Sequence, residues 1–497
     1  MKYILALDQG TTSSRAVLFD EKGAPVASHG IEFPQLYPKP GWVEHRPEDI
    51  LKSQVEAARA AVEKSGVRVS EIEAVGITSQ RETTLLWERE TQKPLYNAIV
   101  WQCRRTAPLI ERLKRDGLGN VVRDRTGLIP DAYFSGTKLQ WLLDTVPNAR
   151  DRAERGELCF GTVDSFLANR LCAGHPHVTD ATNAARTMLY NIYEHRWDEV
   201  LLRAMDIPAQ VLPKVVDTSG VVGMLDKRVL GREIPVAALV GDQQAALFGH
   251  GCFAPGMSKN TYGTGCFLLM NTGLHPVKSV SDLITTIAWQ LDGQTRYALE
   301  GSVFVAGAVV KWLRDEMGLI ASAAESEALA SSIADNGNVY FVPAFTGLGA
   351  PHWDMYSRGT IVGLTRGTGR AHIVRAALEA IAYQSADVIS AMAADSSMKS
   401  GVLRVDGGAS ANNFLMQFQA DILGVHVLRP KVIETTAMGA AMLAGRAVGL
   451  WTDAQLGELQ EPDREFAPNM DDATRARLLS QWQRAIERSR GWEMDEN

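Results

Sequence analysis

Two apolar runs separated by a short, hydroxyl-rich turn occupy the first 20 residues and constrain the fold more than any other part of the chain. Tyr3–Leu7 is followed by Asp8-Gln9-Gly10-Thr11-Thr12-Ser13-Ser14-Arg15, and a second apolar run, Ala16–Phe19, comes directly after it. Short apolar runs around a glycine-containing turn predict a β-hairpin. This geometry differs from the strand, loop and helix of a P-loop, and the sequence has no Walker A motif.

The turn of this hairpin has the groups that phosphate binding requires. A carboxylate at the end of a buried strand can hold a hydrated Mg²⁺, and Asp8 occupies that position. Gly10 permits a sharp turn, and the hydroxyl and N–H groups of Thr11, Thr12 and Ser13 can surround phosphate oxygens. A purely structural polar turn has the same composition, so the turn by itself leaves both interpretations open.

Length and composition narrow the class of protein. A chain of 497 residues is long enough for two or more domains, and 45% hydrophobic and 22% charged residues are typical of a globular protein. The net charge of -7 argues against nucleic acid or an anionic membrane surface as the main partner. No apolar run reaches the roughly 18 residues of a membrane span. The five cysteines form no C-x-x-C pair, so we expect reduced thiols and a cytoplasmic location.

The remainder of the chain predicts an α/β protein with two related halves. The first third alternates predicted strands, at 73–78, 83–87 and 97–101, with a predicted helix over 47–63 that begins at a proline. A second turn rich in Thr and Gly, Thr261–Gly265, again precedes an apolar run. Two such turns suggest two halves that face one cleft, and we place the domain boundary between residues 252 and 253.

A third glycine-rich turn, Asp406–Ser410, lies between a predicted strand at 403–405 and an amphipathic helix over 412–423. A strand, a Gly-Gly turn and a helix N-terminus suit the close approach of a nucleotide.

Asp242 is the candidate catalytic base. It follows a predicted strand over 235–240 and precedes a short helix predicted from 245. Ligands of open α/β sheets bind beyond the carboxyl ends of the strands, where a carboxylate can accept the proton of an alcohol that attacks a phosphoryl group. An aspartate between a strand and a helix is more often a helix cap, and the local sequence does not separate the two roles.

Four residues are candidates for binding a small polyol. Arg81 and Glu82 follow another predicted strand and can form hydrogen bonds with hydroxyl groups. Trp101 and Tyr133 lie in polar surroundings, where aromatic rings can cover the carbon atoms of a substrate. Arg-Glu neighbours are commonly solvated surface and aromatic residues are commonly core, so each residue alone is a weak signal.

Eight segments in chain order resemble the carbohydrate kinases with the actin-like ATPase fold, and the glycerol kinases among them in particular. Together they extend over nearly the whole chain. The segments are ALDQGTTSSRA from Ala6, GITSQRETT from Gly76, NAIVWQCRRT from Asn97, TGLIPDAYFSGTK from Thr126, GDQQAALFG from Gly241, KNTYGTGCF from Lys259, VPAFTGLGAP from Val342 and RVDGGASANNFLMQ from Arg404.

The resemblance implies two ribonuclease-H-like domains around a deep cleft. Residues 1–252 would bind glycerol and the transferred phosphoryl group, and residues 253–497 would bind ATP. Asp242 would be the base for the terminal hydroxyl, and Asp8 would serve Mg²⁺. The glycerol hydroxyls would be held by Arg81, Glu82, Tyr133, Asp242 and Gln243, with Trp101 and Phe267 against the carbon atoms. The phosphoryl group would be held by Thr11, Thr12, Ser13 and Arg15, and the nucleotide by Thr264, Gly307, Lys311, Gly408 and Asn412.

The sequence departs from these relatives at two places. Lys311 stands where many of them carry glutamine. The stretch 223–234 has neither the Gly-Thr-Arg run linked to inhibition by fructose-1,6-bisphosphate nor the histidine that a phosphotransferase system phosphorylates, so the sequence supports neither form of control. The resemblance also implies a homodimer or homotetramer.

Two other functions compete with glycerol phosphorylation. A sibling kinase for another polyol or ketose, such as erythritol or xylulose, would differ only in its sugar pocket. An actin-like or chaperone-like ATPase would use the same cleft for conformational switching, but no additional partner-binding module is evident in the sequence.

Overall fold

Two seven-stranded mixed sheets, one in each half of the chain, form the framework of the protein. We describe residues 1–493 from a computed structural model. Four short two-stranded ribbons belong to the first half, and one further ribbon belongs to the second half.

The first half contains fifteen strands and ten helices. The strands are β1 (Tyr3–Gln9), β2 (Ser13–Asp20), β3 (Pro25–Glu32), β4 (Glu44–His45), β5 (Ile72–Ser79), β6 (Leu85–Glu88), β7 (Ala98–Ile99), β8 (Leu158–Gly161), β9 (Cys172–Ala173), β10 (Val178–Asp180), β11 (Tyr190–Asn191), β12 (Arg196–Trp197), β13 (Lys214–Val216), β14 (Ser219–Leu225) and β15 (Pro235–Gly241). The helices are α1 (Pro47–Ser65), α2 (Ala107–Arg115), α3 (Gly119–Thr126), α4 (Ser135–Thr145), α5 (Ala149–Glu154), α6 (Val163–Leu171), α7 (Ala181–Ala184), α8 (Glu199–Ala204), α9 (Lys227–Leu230) and α10 (Asp242–Gly249).

The second half contains nine strands and seven helices among the described residues. The strands are β16 (Ser258–Tyr262), β17 (Cys266–Gly273), β18 (Ile284–Leu291), β19 (Gln294–Val303), β20 (Tyr340–Val342), β21 (Thr360–Val362), β22 (Val402–Asp406), β23 (His426–Pro430) and β24 (Pro462–Phe466). The helices are α11 (Gly307–Asp315), α12 (Ala323–Ser331), α13 (Arg370–Ser396), α14 (Asn413–Leu423), α15 (Thr435–Ala447), α16 (Asp453–Leu456) and α17 (Asp472–Ser489).

Five strands in each sheet follow the same order, which confirms the predicted pair of ribonuclease-H-like folds. In the first sheet the order is β3-β2-β1-β5-β15, and in the second it is β19-β17-β16-β22-β23. In both, the first three strands are antiparallel and the last two run parallel to the third. The halves are therefore related copies of one topology.

The strand-turn-strand prediction for both hydroxyl-rich turns is confirmed. β1 pairs with β2 so that Asp8 lies opposite Arg15, and β16 pairs with β17 so that Thr261 lies opposite Phe267. Tyr3–Leu7 is buried along its whole length, because the sheet is covered on both faces.

Two helices lie between the sheets and join the halves. α10, from the first half, contributes Leu247 and Phe248 to a core that also contains Leu269 and Ala298 of the second sheet. α15, from the second half, contributes apolar residues to the same core, where Ile4 and Ala6 of the first sheet lie. Each half thus packs one helix into the space between the sheets.

α10 and α15 touch at two glycines in equivalent positions. A Cβ atom on Gly249 would lie 2.1 Å from the carbonyl oxygen of Thr435, and one on Gly439 would lie 1.9 Å from that of Ala245. The contact atoms are backbone, so no flexible side chain can move away. The helices can approach this closely only because both positions lack a side chain.

None of the helices in residues 1–493 has an apolar stretch long enough to cross a membrane.

We predict that Gly439→Ala destabilises the protein, because the added methyl group forces α10 and α15 apart. Overpacking of this kind costs about 1–3 kcal/mol, measurable by denaturant unfolding. Gly401→Ala is the control, since a Cβ there meets no atom within 4 Å. Equal stability of the two variants would contradict the account of the helix contact.

Candidate active site between the two halves

Three adjacent parallel strands of the first sheet end at the same edge and bring the first candidate residues together. β5 lies between β1 and β15, and Ser79 pairs with Gln9 on one side and with Gly241 on the other. Asp8 lies at the end of β1, the segment with Arg81 and Glu82 follows β5, and Asp242 begins α10 directly after β15. Carboxyl ends of parallel strands are the usual ligand-binding edge of such sheets.

The first hydroxyl-rich turn is closed by hydrogen bonds that leave N–H groups free. The N–H of Gly10 donates to the carbonyl of Ser13 at 2.9 Å, and the Gln35 side chain donates to the carbonyl of Thr11 at 2.9 Å. Among residues 1–493, the N–H groups of Thr11 and Thr12 have no acceptor. Unpaired N–H groups in a tight turn form a concave site for an anion.

Burial and a neighbouring charge perturb the protonation of Asp8. Burial raises the pKa of its carboxyl to about 7, the negative charge of Asp242 adds to this, and Arg15 opposes it. The two carboxylates therefore lie close enough to repel each other. A divalent cation beside Asp8 would offset both the cost of burying its charge and the repulsion from Asp242.

Arg15 also faces the second half. Its guanidinium lies 3.6 Å from the carboxylate of Glu434, the residue before α15, and its side chain is about half exposed. It is therefore accessible to a ligand in the cleft.

Arg81 and Glu82 belong to a buried group of four charges, at most 2% exposed. Arg81 donates to both carboxylate oxygens of Glu300, at 2.5 and 3.0 Å, and its Nε lies 3.3 Å from Asp242. Arg186 donates to Glu82 at 2.6 Å and to Glu300 at 2.9 Å. Burial would raise the pKa of Glu300, but the attraction of the two guanidinium groups outweighs it, so the pKa is well below its usual range.

The backbone at Glu82 is strained. Its φ of 60° lies in the left-handed region, which is uncommon for a residue other than glycine. Strained backbone of this kind persists where surrounding contacts fix it, and it is concentrated at functional sites.

Trp101 and Tyr133 form one wall next to these charges. Their rings pack edge to face with centroids 5.5 Å apart, and the Trp101 indole N–H donates to the Thr11 hydroxyl at 2.9 Å. Lys138 donates to the carbonyl of Tyr133 at 2.5 Å, and burial lowers the pKa of this lysine to about 7. The aromatic wall is thus connected directly to the first hydroxyl-rich turn through Thr11.

Asp242 is not the N-cap of α10, and its role as a catalytic base stays a prediction. It is the first residue of α10, three residues earlier than the predicted helix start, and its carboxylate accepts the N–H of Gln243 at 2.7 Å. The helix starts at Asp242 because Gly241 already serves as its N-cap. The Asp242 side chain is still 28% exposed and can receive a ligand.

The second half reaches the same region through β16 and β17. Lys259 donates to the side-chain oxygen of Gln243, to the hydroxyl of Thr261 at 2.9 Å and to the carbonyl of Phe267 at 3.3 Å. Burial lowers the pKa of Lys259 to about 8, and the carboxylates of Asp406 and Asp242 oppose that shift. Gln243 and Phe267 are therefore joined through one buried ammonium group.

A cavity of about 780 Å³ in the second half brings together all five residues predicted to contact a nucleotide. Such a volume falls in the range of small-molecule and cofactor sites. The five are Thr264, Gly307, Lys311, Gly408 and Asn412.

Local structure explains how these residues reach the cavity. Gly307 opens α11 and donates to the carbonyl of Gly263, so the second hydroxyl-rich turn is tied to this helix. Asn412 is the N-cap of α14 and accepts the N–H of Leu415 at 2.9 Å. Lys311 is exposed at the rim.

Sequence reasoning missed Arg186, Glu300 and the contact of Lys259 with Gln243. Glu300 did carry a signal, since it is the single acidic residue of β19 and directly follows the apolar run Tyr297–Leu299. A charged residue in a buried strand needs a partner, and that partner comes from the other half.

Comparison with known proteins places the chain among the kinases. Residues 3–249 match the N-terminal domain of the FGGY family of carbohydrate kinases, and residues 258–448 match its C-terminal domain. The chain is 60% identical to the glycerol kinase of Carboxydothermus hydrogenoformans, over 100% of this chain and 99% of the relative. It is 58% identical to glycerol kinase 2 of Thermotoga maritima, over 99% of this chain and 100% of the relative. The structure of Plasmodium falciparum glycerol kinase with ADP is similar, with a TM-score of 0.93, 36% identity and 98% of both chains covered.

We predict that Asp8→Asn stabilises the protein at pH 8 in EDTA without nucleotide. The pKa of Asp8 in the folded protein, about 7, lies above the 3.8 of an exposed aspartate. The folded protein thus binds this proton more tightly than the unfolded chain, and Asp8 reduces stability as pH rises from about 4 to 7. The gain in Tm should be clear at pH 8 and much smaller at pH 5.

Glu90→Gln is the control for this prediction, because Glu90 is an exposed acid on a turn. Its Tm should follow the wild type at both pH values. A lower Tm for Asp8→Asn than for the wild type at pH 8 would contradict the assignment of Asp8 as a partly buried, destabilising charge.

Proposed function

The chain belongs to the FGGY family of carbohydrate kinases, and we propose that it catalyses ATP-dependent phosphorylation of glycerol to sn-glycerol 3-phosphate. One observation carries this proposal: Asp242 is close both to the buried Arg81, whose Nε lies 3.3 Å from its carboxylate, and to Asp8, whose pKa its negative charge raises. An acceptor hydroxyl, a base and a phosphoryl site are thereby adjacent. The glycerol kinases at about 60% identity over the whole chain support the same acceptor.

The acceptor pocket suits a short polyol. Arg81, Glu82 and Gln243 offer charged and amide groups for hydroxyls, and Tyr133 adds a phenol that burial holds protonated by raising its pKa. Trp101 and Phe267 would cover the carbon atoms of glycerol, which form the rest of its surface. Each hydroxyl of a three-carbon substrate then has a partner.

In the proposed reaction Asp242 accepts the proton of the terminal hydroxyl as its oxygen bonds to the γ-phosphorus. The bond from that phosphorus to the bridging oxygen breaks in the same displacement, and ADP leaves. The N–H groups of Thr11 and Thr12, the hydroxyl of Ser13 and the Arg15 guanidinium would hold the equatorial phosphoryl oxygens. Phosphoryl transfer depends mainly on such positioning and charge stabilisation.

Asp8 is the residue that would hold Mg²⁺. No group of three or more His, Cys, Asp or Glu suited to a metal occurs in residues 1–493, which fits an ion bound by one or two carboxylates, water and phosphate oxygens. The raised pKa of Asp8 fits as well, because a cation would stabilise its ionised form. When bound, Mg²⁺ supplies positive charge to the phosphate oxygens.

ATP would occupy the cavity of the second half, with its phosphates directed towards the turn at Gly10. Thr264, Gly307, Gly408 and Asn412 line that cavity, and Lys311 would reach the nucleotide from its rim. In this proposal most acceptor contacts would come from residues 1–252 and the nucleotide contacts from residues 253–497, with Phe267 as the acceptor contact from the second half. The cytoplasmic location and a homodimer or homotetramer stay predictions of the sequence.

The two competing functions make different predictions for purified protein supplied with ATP and Mg²⁺. The proposal predicts the highest kcat/KM with glycerol, measured against erythritol and xylulose. A higher kcat/KM with either larger acceptor would favour a sibling kinase. ATP hydrolysis that proceeds equally fast without any acceptor would favour a switching ATPase.

We predict that Asp242→Asn lowers kcat for glycerol by on the order of 10²–10⁴, because the amide cannot accept the proton. The substitution retains an oxygen for the N–H of Gln243, so the Tm should change little. Asp471→Asn is the control: Asp471 is likewise at the start of a helix, α17, but exposed and far along the chain. Wild-type kcat in Asp242→Asn would remove Asp242 from the mechanism.

A further inference from the structure

Two buried side chains of the second sheet contact residues of the proposed acceptor pocket. Lys259 lies on β16 and Glu300 on β19, and both are at most 1% exposed. Neither is expected to touch glycerol. Each contacts a residue that does so in the proposed function: Lys259 contacts Gln243, and Glu300 contacts Arg81.

We propose that Lys259 and Glu300 are positioning residues, through which the nucleotide half sets the hydrogen-bonding pattern of the acceptor pocket. This inference rests on the proposed function and concerns the same pocket.

Lys259 fixes the direction of the Gln243 amide. An ammonium group donates hydrogen bonds and accepts none, so the amide oxygen of Gln243 must face Lys259. The amide NH₂ then points away from Lys259 and forms no hydrogen bond within residues 1–493, so it is free to donate to a ligand. Gln243 is therefore a donor, suited to the oxygen of a substrate hydroxyl.

Glu300 fixes the plane of the Arg81 guanidinium. Both terminal nitrogens of Arg81 donate to this carboxylate, in a two-bond contact that permits only one orientation. The third nitrogen, Nε, consequently faces Asp242 at 3.3 Å. Through this contact Glu300 places a positive charge beside the proposed base.

Glu300 also acts on Glu82 through Arg186. Arg186 joins one oxygen of Glu82 to Glu300, while the second oxygen of Glu82 forms no hydrogen bond within residues 1–493. That oxygen is free to accept a hydrogen bond from a substrate hydroxyl. The pocket therefore offers a donor at Gln243 and an acceptor at Glu82, which matches a polyhydric alcohol with neighbouring hydroxyl groups.

Buried ion pairs often add little to stability, and loss of one partner leaves an uncompensated charge. A purely structural role for these residues would therefore lower Tm and would change the KM for glycerol and the KM for ATP to the same extent. A positioning role predicts a selective loss of acceptor binding. The KM values for the two substrates separate these cases.

The experiment compares steady-state kinetics of the full-length wild type with Lys259→Met and Glu300→Gln. For both variants we expect the KM for glycerol to rise at least about tenfold, with the KM for ATP within about twofold of the wild type. Glu379→Gln is the matched control, because Glu379 is a buried carboxylate paired with Arg375, and it should leave both KM values unchanged.

A double-mutant cycle adds a measurement that a loss of stability alone would not change. Lys259→Met and Gln243→Ala should be non-additive in their effect on the KM for glycerol, because each removes the same oriented donor. If Glu300→Gln does not fold, the Lys259 cycle still decides the proposal. An unchanged KM for glycerol, equal rises in both KM values, or additivity in the cycle would overturn it.

Failure of the proposed function gives a different result. If the wild type phosphorylates another polyol in preference to glycerol, the same KM comparison is made with that polyol and tests the positioning role directly. If the wild type phosphorylates no acceptor, both proposals are contradicted.

Discussion

The close contact of α10 and α15 is the constraint on which the rest of the structure depends. Gly249 and Gly439 hold the two helices at backbone distance, and each helix comes from a different half. α10 begins with Asp242, and α15 follows directly after Glu434, the partner of Arg15. One packing contact therefore sets where the proposed base lies and where Glu434 meets Arg15. Because the contact is between backbone atoms, it has little freedom to vary.

The buried charges around Arg81 explain why the acceptor pocket needs both halves. Arg81, Glu82 and Arg186 come from the first half, and Glu300 of the second sheet pairs with both of the guanidinium groups. The left-handed backbone at Glu82 adds strain that this network must hold in place. Such an arrangement contributes little net stability, and its benefit is orientation: few polar groups in the pocket can turn.

Most of the framework could be predicted from the sequence, because it depends on local patterns. The β-hairpin at Asp8–Arg15 follows from two apolar runs around a glycine, and the helix at 47–63 follows from its proline and its periodicity. The start of α10 at Asp242 was not predicted, since the N-cap is Gly241, which has no side chain to signal it. Arg186 and Glu300 could not be placed either, because their partners lie more than 100 residues away along the chain.

The central claim is that one cleft aligns an acceptor hydroxyl, Asp242 and the γ-phosphoryl group held at the turn around Gly10. A crystal structure with glycerol and a non-hydrolysable ATP analogue measures this alignment directly. We expect a terminal hydroxyl of glycerol within about 2.6–3.2 Å of the Asp242 carboxylate, with the γ-phosphate against the N–H groups of Thr11 and Thr12. Glycerol bound away from Asp242, or a γ-phosphate that does not reach this turn, would contradict it.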